Sequence, residues 1–123
     1  MTGNELVNYI NEYIHNGEIQ GKAFITGEYR EGNKAFDKME KIVRKVEETE
    51  DKKEFFLTIF EKSKEINTLT CCCAQMLKLQ IEPKLARKKL EEIVNSKEVD
   101  PVLLFNAKML LKEWDNGKIK PVK

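Results

Sequence analysis

Glycine and proline are scarce over most of the chain. Five of the six glycines fall within the first 32 residues, and the sixth is Gly117. The three prolines are Pro83, Pro101 and Pro121, so only two of them interrupt the stretch from about 33 to 116. Strands joined by tight turns need these residue types often, and this stretch has no glycine and only two prolines. The pattern excludes a β-rich chain and predicts a series of helices.

Long apolar runs are also missing. No run approaches the ~18 apolar residues of a membrane-spanning helix, and the opening MTGNE has neither a basic start nor an apolar segment. We therefore expect no signal peptide and no membrane segment. Secreted disulfide frameworks use even numbers of well-spaced cysteines, whereas Cys71, Cys72 and Cys73 are odd in number and consecutive. We expect reduced thiols in a cytoplasmic protein.

An excess of charge of either sign is absent. Lys and Arg together number 22 against 21 Asp and Glu, which gives a net charge of +1. A dedicated nucleic-acid-binding domain is usually clearly basic, so nucleic acid is not the expected main partner. Apolar residues make up 41% and charged residues 35%, unlike a disordered chain. We predict a single helical domain over 1–123, with a frayed tail over 118–123.

Capping residues and apolar spacing mark the first helices. Thr2 followed by Glu5 predicts a capping box at the start of the chain. Gly17 is the expected stop of this helix, and a short helix over 19–26 is expected to end at Gly27.

The remaining helices follow from the same signals, and the total is six or seven. The strongest pattern spans about 29–48. Asp51 is expected to cap a short helix, with Glu54 as its capping-box partner. Two prolines at first helical positions predict helices over about 83–95 and 101–115. Asp100 is expected to cap the last helix, which is expected to end at Gly117. A further helix is predicted over about 66–79, between the short helix and the helix over 83–95.

Apolar residues at helical spacing predict the faces that point into the core. On the helix over 29–48 this face consists of Ala35, Phe36, Met39, Ile42, Val43 and Val46. On the helix over 83–95 the expected inward residues are Leu85, Ala86, Leu90, Ile93 and Val94. Cys72 and Cys73 are expected to be small core residues where neighbouring helices approach closely.

The second half of the chain is predicted to form two helix pairs, over about 54–79 and 84–115. Such pairs are typical of an α-solenoid, and an irregular helical bundle is the alternative.

Three segments carry a resemblance to a known family: GNKAFDKM at 32–39, preceded by Gly27-Glu28; CCA at 72–74; and FNAKMLLKEWDNG at 105–117. The chain resembles a family of short bacterial proteins of unknown function with a HEAT-like α/α superhelix. The resemblance implies an all-α, HEAT-like fold and no activity.

Few residues are arranged for chemistry. Three consecutive thiols on a helix point about 100° apart and cannot converge on one metal ion, so no metal site or cofactor is expected. The only histidine, His15, is expected near a helix end, where its cation would complement the helix dipole. No catalytic residue is nominated, because no phosphate loop, dinucleotide motif or metalloprotease motif is present.

Two groups of residues are candidates for binding. Asn33 and Asp37 are neighbours on one helix, with Tyr29 and Arg30 near its start; either polar residue is expected to bond the backbone near Gly27 or to contact a ligand. The second group is a basic helix face at 84–89. It consists of Lys84, Arg87 and Lys88.

Three functions are compatible with these features. We expect a non-catalytic helical scaffold that binds another protein, as an adaptor or immunity-like protein does. The alternative is a nucleic-acid-binding protein that uses the face at Lys84–Lys89. A third is an enzyme with a pocket near Tyr29, Arg30, Asn33 and Asp37.

Overall fold

Six helices make up the protein in the computed structural model, which describes residues 1–121. They are α1 (Gly3–Thr26), α2 (Tyr29–Glu47), α3 (Lys52–Lys62), α4 (Ile66–Leu79), α5 (Pro83–Val94) and α6 (Pro101–Asp115). No strand occurs within this part of the chain. The all-α prediction is confirmed, and the predicted bounds of the helices from α2 onward agree with the structure to within one or two residues.

Most of the predicted helix ends are confirmed by their hydrogen bonds. The Thr2 hydroxyl accepts the Glu5 N–H at 3.1 Å, and the Glu5 carboxylate accepts the Thr2 N–H at 3.2 Å. Asp100 accepts the Val102 N–H at 2.9 Å, with Pro101 next to it at the first helical position. Gly27 ends α1 in the left-handed region, with φ of 79°. These ends depend on side chains within a few residues, which is why the sequence predicts them.

The predicted cap at Asp51 is wrong. Helix α3 begins at Lys52 as expected, but Asp51 has helical backbone angles and its side chain makes no capping hydrogen bond. Thr49 organises this turn instead. Its hydroxyl donates to the Val46 carbonyl at 2.7 Å and accepts the Asp51 N–H at 3.2 Å.

The predicted stop at Gly17 is also wrong, because α1 runs without a break from Gly3 to Thr26. Gly17 and Gly21 lie four residues apart on one side of this helix, where α4 crosses it. A Cβ on Gly17 would lie 2.9 Å from the Thr68 Cβ, and one on Gly21 would lie 2.9 Å from the Asn67 Cβ. These glycines permit close contact between α1 and α4, which sequence spacing alone does not distinguish from a helix stop.

Hydrogen bonds hold the two helices together at this crossing. The Asn67 amide donates to the Gly17 carbonyl and to the Gln20 side-chain oxygen, both at 2.9 Å. The Glu65 carboxylate caps α4 by accepting the N–H groups of Asn67 and Thr68 at 2.7 and 2.8 Å. We call this set the α1–α4 contact. It satisfies polar groups that the close approach removes from water.

The main core lies on both sides of α1 and α4. Tyr13, Phe55 and Phe56 form an edge-to-face aromatic cluster with ring centroids 4.9–6.3 Å apart. Cys72 and Cys73 are fully buried, as predicted. The inward faces of α2 and α5 are confirmed except at Phe36 and Leu85, which are exposed. Each stands next in sequence to a buried alanine, and consecutive helical residues point about 100° apart.

The helices enclose a common core instead of stacking only on their neighbours. Helix α1 contacts α2, α3, α4 and also α6, the last helix. In a solenoid each repeat touches only the adjacent ones, so this contact is a feature of a bundle. The HEAT-like superhelix stays a prediction. Of the predicted tail, 118–121 follow α6 outside any helix, and 122–123 lie outside the described residues.

We predict that Gly17→Ala destabilises the protein, because the added methyl group overlaps Thr68. The free energy of unfolding should fall by about 1–3 kcal/mol, as for other overpacked sites. Urea unfolding followed by circular dichroism measures the change. Gly3→Ala is the matched control, since no atom lies within 4 Å of its added Cβ. Equal stability of the two variants would contradict close packing at Gly17.

Candidate functional site

A groove runs between α2 and α4, which both pack on α1 and have no Cα atoms within 8 Å of each other. At one end it is a cleft of about 140 Å³, with Phe36 and Glu40 on the α2 wall, Cys71 and Lys78 on the α4 wall and Tyr13 in the floor. Next to it a smaller cleft of about 30 Å³ lies between α1 and α2, lined among others by Gln20, Phe24, Tyr29 and Asn33. We call the two clefts together the α2–α4 groove.

A hydrogen bond between side chains joins the linings of the two clefts. The Cys71 thiol, which lines the larger cleft, donates to the side-chain oxygen of Gln20 at 3.5 Å, and Gln20 lines the smaller one. The same Gln20 oxygen accepts the Asn67 amide. The floor of the groove is thus continuous with the α1–α4 contact, which holds it rigidly.

The structure brings together only part of the first predicted group. Tyr29 and Asn33 line the smaller cleft, whereas Arg30 and Asp37 are exposed outside its lining. The predicted bond from Asn33 or Asp37 to the backbone near Gly27 is wrong. The Gly27 N–H bonds the Ala23 carbonyl, and the Gly27 carbonyl accepts the Tyr29 N–H.

Sequence reasoning missed most of the groove. The helical spacing of apolar residues predicts that Tyr13 and Met39 face the core, and Gln20 belongs to no recognisable motif. Cys71, Ala74, Gln75 and Lys78 lie at i, i+3, i+4 and i+7, which is a partly open face of α4. That spacing was visible in the sequence. It looks like an ordinary half-buried helix face until α2 is placed beside it.

The chemistry that the groove offers is that of binding. Burial, together with the negative charges of Glu65 and Glu40, raises the pKa of the Cys71 thiol to about 12. The thiol is therefore protonated at neutral pH and is a poor nucleophile. His15 lies exposed in the middle of α1, so the expected position near a helix end is wrong. Among residues 1–121, no three His, Cys, Asp or Glu side chains are grouped to hold a metal.

The predicted basic face on α5 is partly neutralised. The Arg87 guanidinium donates to both carboxylate oxygens of Asp115 at 3.0 and 2.7 Å and also pairs with Glu91. The hydrogen bond to Asp115 raises the pKa of Arg87 and lowers that of Asp115. Arg87 therefore joins α5 to α6 and is a structural residue more than a free cation.

Lysines from two helices nevertheless meet at one end of α5. Lys84 lines a cleft of about 470 Å³ together with Lys52 and Lys53 from the start of α3. Lys53 is weakly paired with Glu82 at 4.0 Å. Lys52, Lys84 and Lys88 form no ion pair within the described part of the chain. We call the cleft with Lys52, Lys53 and Lys84, together with Lys88 one turn further along α5, the α3–α5 basic cleft.

No family model, curated protein or solved structure matches this chain. The resemblance to HEAT-like bacterial proteins therefore stays a prediction. Within residues 1–121, none of the helices has both the length and the apolar character needed to cross a membrane.

We predict that the three thiols resist modification in the folded protein. Burial raises the pKa of both Cys71 and Cys73 to about 12 and that of Cys72 well above its ordinary value, so the thiolate is scarce at pH 8. Labelling with Ellman's reagent should be on the order of a hundredfold slower than in denaturant, because the thiolate is the reactive form. Rapid reaction of one thiol in the native state would contradict this assignment. Cys71→Ser would show whether the thiol that lines the groove was responsible.

Proposed function

We propose that the protein is a non-catalytic helical scaffold that binds another protein in the α2–α4 groove. Aromatic side chains left in water along the groove support this proposal most directly. Tyr29 is 74% exposed and Phe36 is 43% exposed, and Phe24 stands beside Tyr29 at the smaller cleft. Aromatic residues, tyrosine above all, are enriched among the residues that dominate protein–protein binding energies.

The shape of the groove favours a helical segment of the partner. At the larger cleft, α2 and α4 form the walls and α1 forms the floor, a geometry suited to an amphipathic helix that lays its apolar face inward. The lining is mainly apolar, and Glu40 and Lys78 stand on opposite walls at one end. These two charges favour one orientation of a helix with oppositely placed charges. An adaptor or immunity-like role fits such a surface.

We predict that the double variant Tyr29→Ala/Phe36→Ala loses its partner while the fold is retained. Both rings are exposed, so their removal should change the melting temperature little, whereas loss of two aromatic anchors should weaken binding at least tenfold. Affinity capture from the cell that makes the protein, followed by mass spectrometry, compares the variant with the native chain.

Phe105→Ala is the matched control for this experiment. Phe105 is 60% exposed on α6 and lies outside the lining of the groove. A protein captured by the native chain and by Phe105→Ala, but lost with the groove variant, would support the proposal. A partner retained by the groove variant and lost with Phe105→Ala would move the interface to α6 and refute the groove.

The α3–α5 basic cleft supports a second candidate function, nucleic-acid binding. The structure adds Lys52 and Lys53 to the lysines of the sequence-predicted face, which increases the local positive charge. Neutralised phosphates release counterions, so such binding would weaken steeply as salt is raised. Against it stands the pairing of Arg87 with Asp115 and Glu91, and therefore we place it second.

We predict that, if this second function holds, Lys52→Glu/Lys84→Glu/Lys88→Glu abolishes binding to a fluorescein-labelled DNA duplex. Arg87 is left unchanged, because its substitution would also break the contact between α5 and α6. The charge-matched control is Lys97→Glu/Lys108→Glu/Lys112→Glu, which alters exposed lysines elsewhere. Fluorescence anisotropy at several salt concentrations gives the affinities. Equal losses in the two variants would indicate only a general charge effect and refute a site at the cleft.

A further inference from the structure

A hollow of about 400 Å³ opens between the end of α3, the start of α4 and the end of α5. Its volume falls in the range of small-molecule sites. The apolar part of its lining comes from all three helices and from the loop before α6. This part consists of Phe60, Ile66, Leu69, Ile93 and Val99. We call it the α3–α5 hollow; it is distinct from the basic cleft, with which it shares no lining residue.

The hollow and the α2–α4 groove lie on opposite faces of α4. Ile66 and Leu69 line the hollow, whereas Cys71, Gln75 and Lys78 line the groove. At about 100° per residue, the mean directions of these two sets differ by about 175° around the helix. A ligand in the hollow therefore does not touch a partner in the groove, and the two sites can be probed with separate variants.

Ser63 provides an unsatisfied hydroxyl at this hollow. The residue is 8% exposed and belongs to the lining, and its Oγ is the buried side-chain polar atom that finds no hydrogen-bond partner among residues 1–121. A buried hydroxyl without a partner destabilises a fold, and nearly all such groups in proteins are satisfied. The oxygen itself has almost no accessible surface, so the Ser63 side chain must rotate toward the hollow before a ligand oxygen can satisfy it.

The charges of the lining cancel and give no preference for an ion. Lys89 lies 3.3 Å from Glu92 and places its ammonium 5.7 Å from the centroid of the Phe60 ring, so its charge is already compensated. Lys64 and Glu61 stand exposed at the edge and contribute one charge of each sign. An uncharged ligand loses less hydration on entering such a site than an ion does.

We propose that the α3–α5 hollow binds a small, uncharged, mainly apolar molecule that carries one carbonyl group, and that the Ser63 hydroxyl donates to this carbonyl. The apolar body contacts Phe60, Leu69 and Ile93. This site does not depend on the proposed scaffold function.

Two probes that differ in the carbonyl test the proposal. Acetophenone has a phenyl ring and one carbonyl, and ethylbenzene has nearly the same shape without the oxygen. Each is titrated into the full-length protein, the Ser63→Ala variant and the Val99→Trp variant, in which the larger side chain fills the hollow. Amide chemical shifts locate the site and give the dissociation constants, and thermal melts are recorded without probe.

We expect acetophenone to shift amides around the hollow and to bind roughly two- to tenfold more weakly to Ser63→Ala, the effect of one neutral hydrogen bond. Ethylbenzene should bind equally to both, and neither probe should bind to Val99→Trp. The melting temperature of Ser63→Ala should be unchanged or higher, since an unsatisfied hydroxyl has been removed.

Three results would overturn the proposal. The first is the absence of acetophenone-induced shifts around the hollow of the native protein up to the solubility limit of the probe. The second is equal affinity of acetophenone for the native protein and Ser63→Ala, which would remove the hydroxyl from the site. The third is a markedly lower melting temperature of Ser63→Ala, because it would show that the hydroxyl already has a stabilising partner.

Discussion

The close approach of α1 and α4 at Gly17 and Gly21 is the constraint on which the rest of the structure depends. Without side chains at these positions, the Asn67 amide reaches the backbone of α1, and Thr68 packs directly against it. A larger residue would separate the two helices and break the hydrogen bonds that satisfy Asn67 and Gln20. Interiors are packed densely enough that such a displacement affects every layer resting on these helices.

The other helices are arranged around this pair. Helix α2 covers one side of α1, α3 and α5 pack on α4, and α6 contacts α1, α4 and α5. Because α1 and α4 touch while α2 stays away from α4, a groove is left between α2 and α4. The opposite face of α4 is left open where α3 and α5 diverge, and this opening is the α3–α5 hollow. Both candidate sites are thus consequences of one helix contact.

The polar groups near the core differ in how completely they are satisfied. Asn67, Gln20, Thr68 and Glu65 form a closed set of hydrogen bonds at the α1–α4 contact, and the buried thiols are held protonated. Their role is structural, since such networks define a single packing arrangement. Ser63 differs from them, because its hydroxyl is buried at the edge of a cavity without a partner. We therefore base the ligand proposal on Ser63 and not on the more conspicuous cysteines.

The sequence by itself determined the features that depend on neighbours within about four residues along the chain. Helices α2 to α6, the caps at Thr2 and Asp100, the proline starts and the glycine ends at Gly27 and Gly117 all follow from such local contacts. Only the tertiary structure decided the role of Gly17, which looks like a stop but is a packing site, and the exposure of Phe36 at the edge of a groove. It also paired Arg87 with Asp115, 28 residues away. These outcomes depend on which helices meet, and pairing between distant helices is set by the shapes of whole faces, which no local pattern encodes.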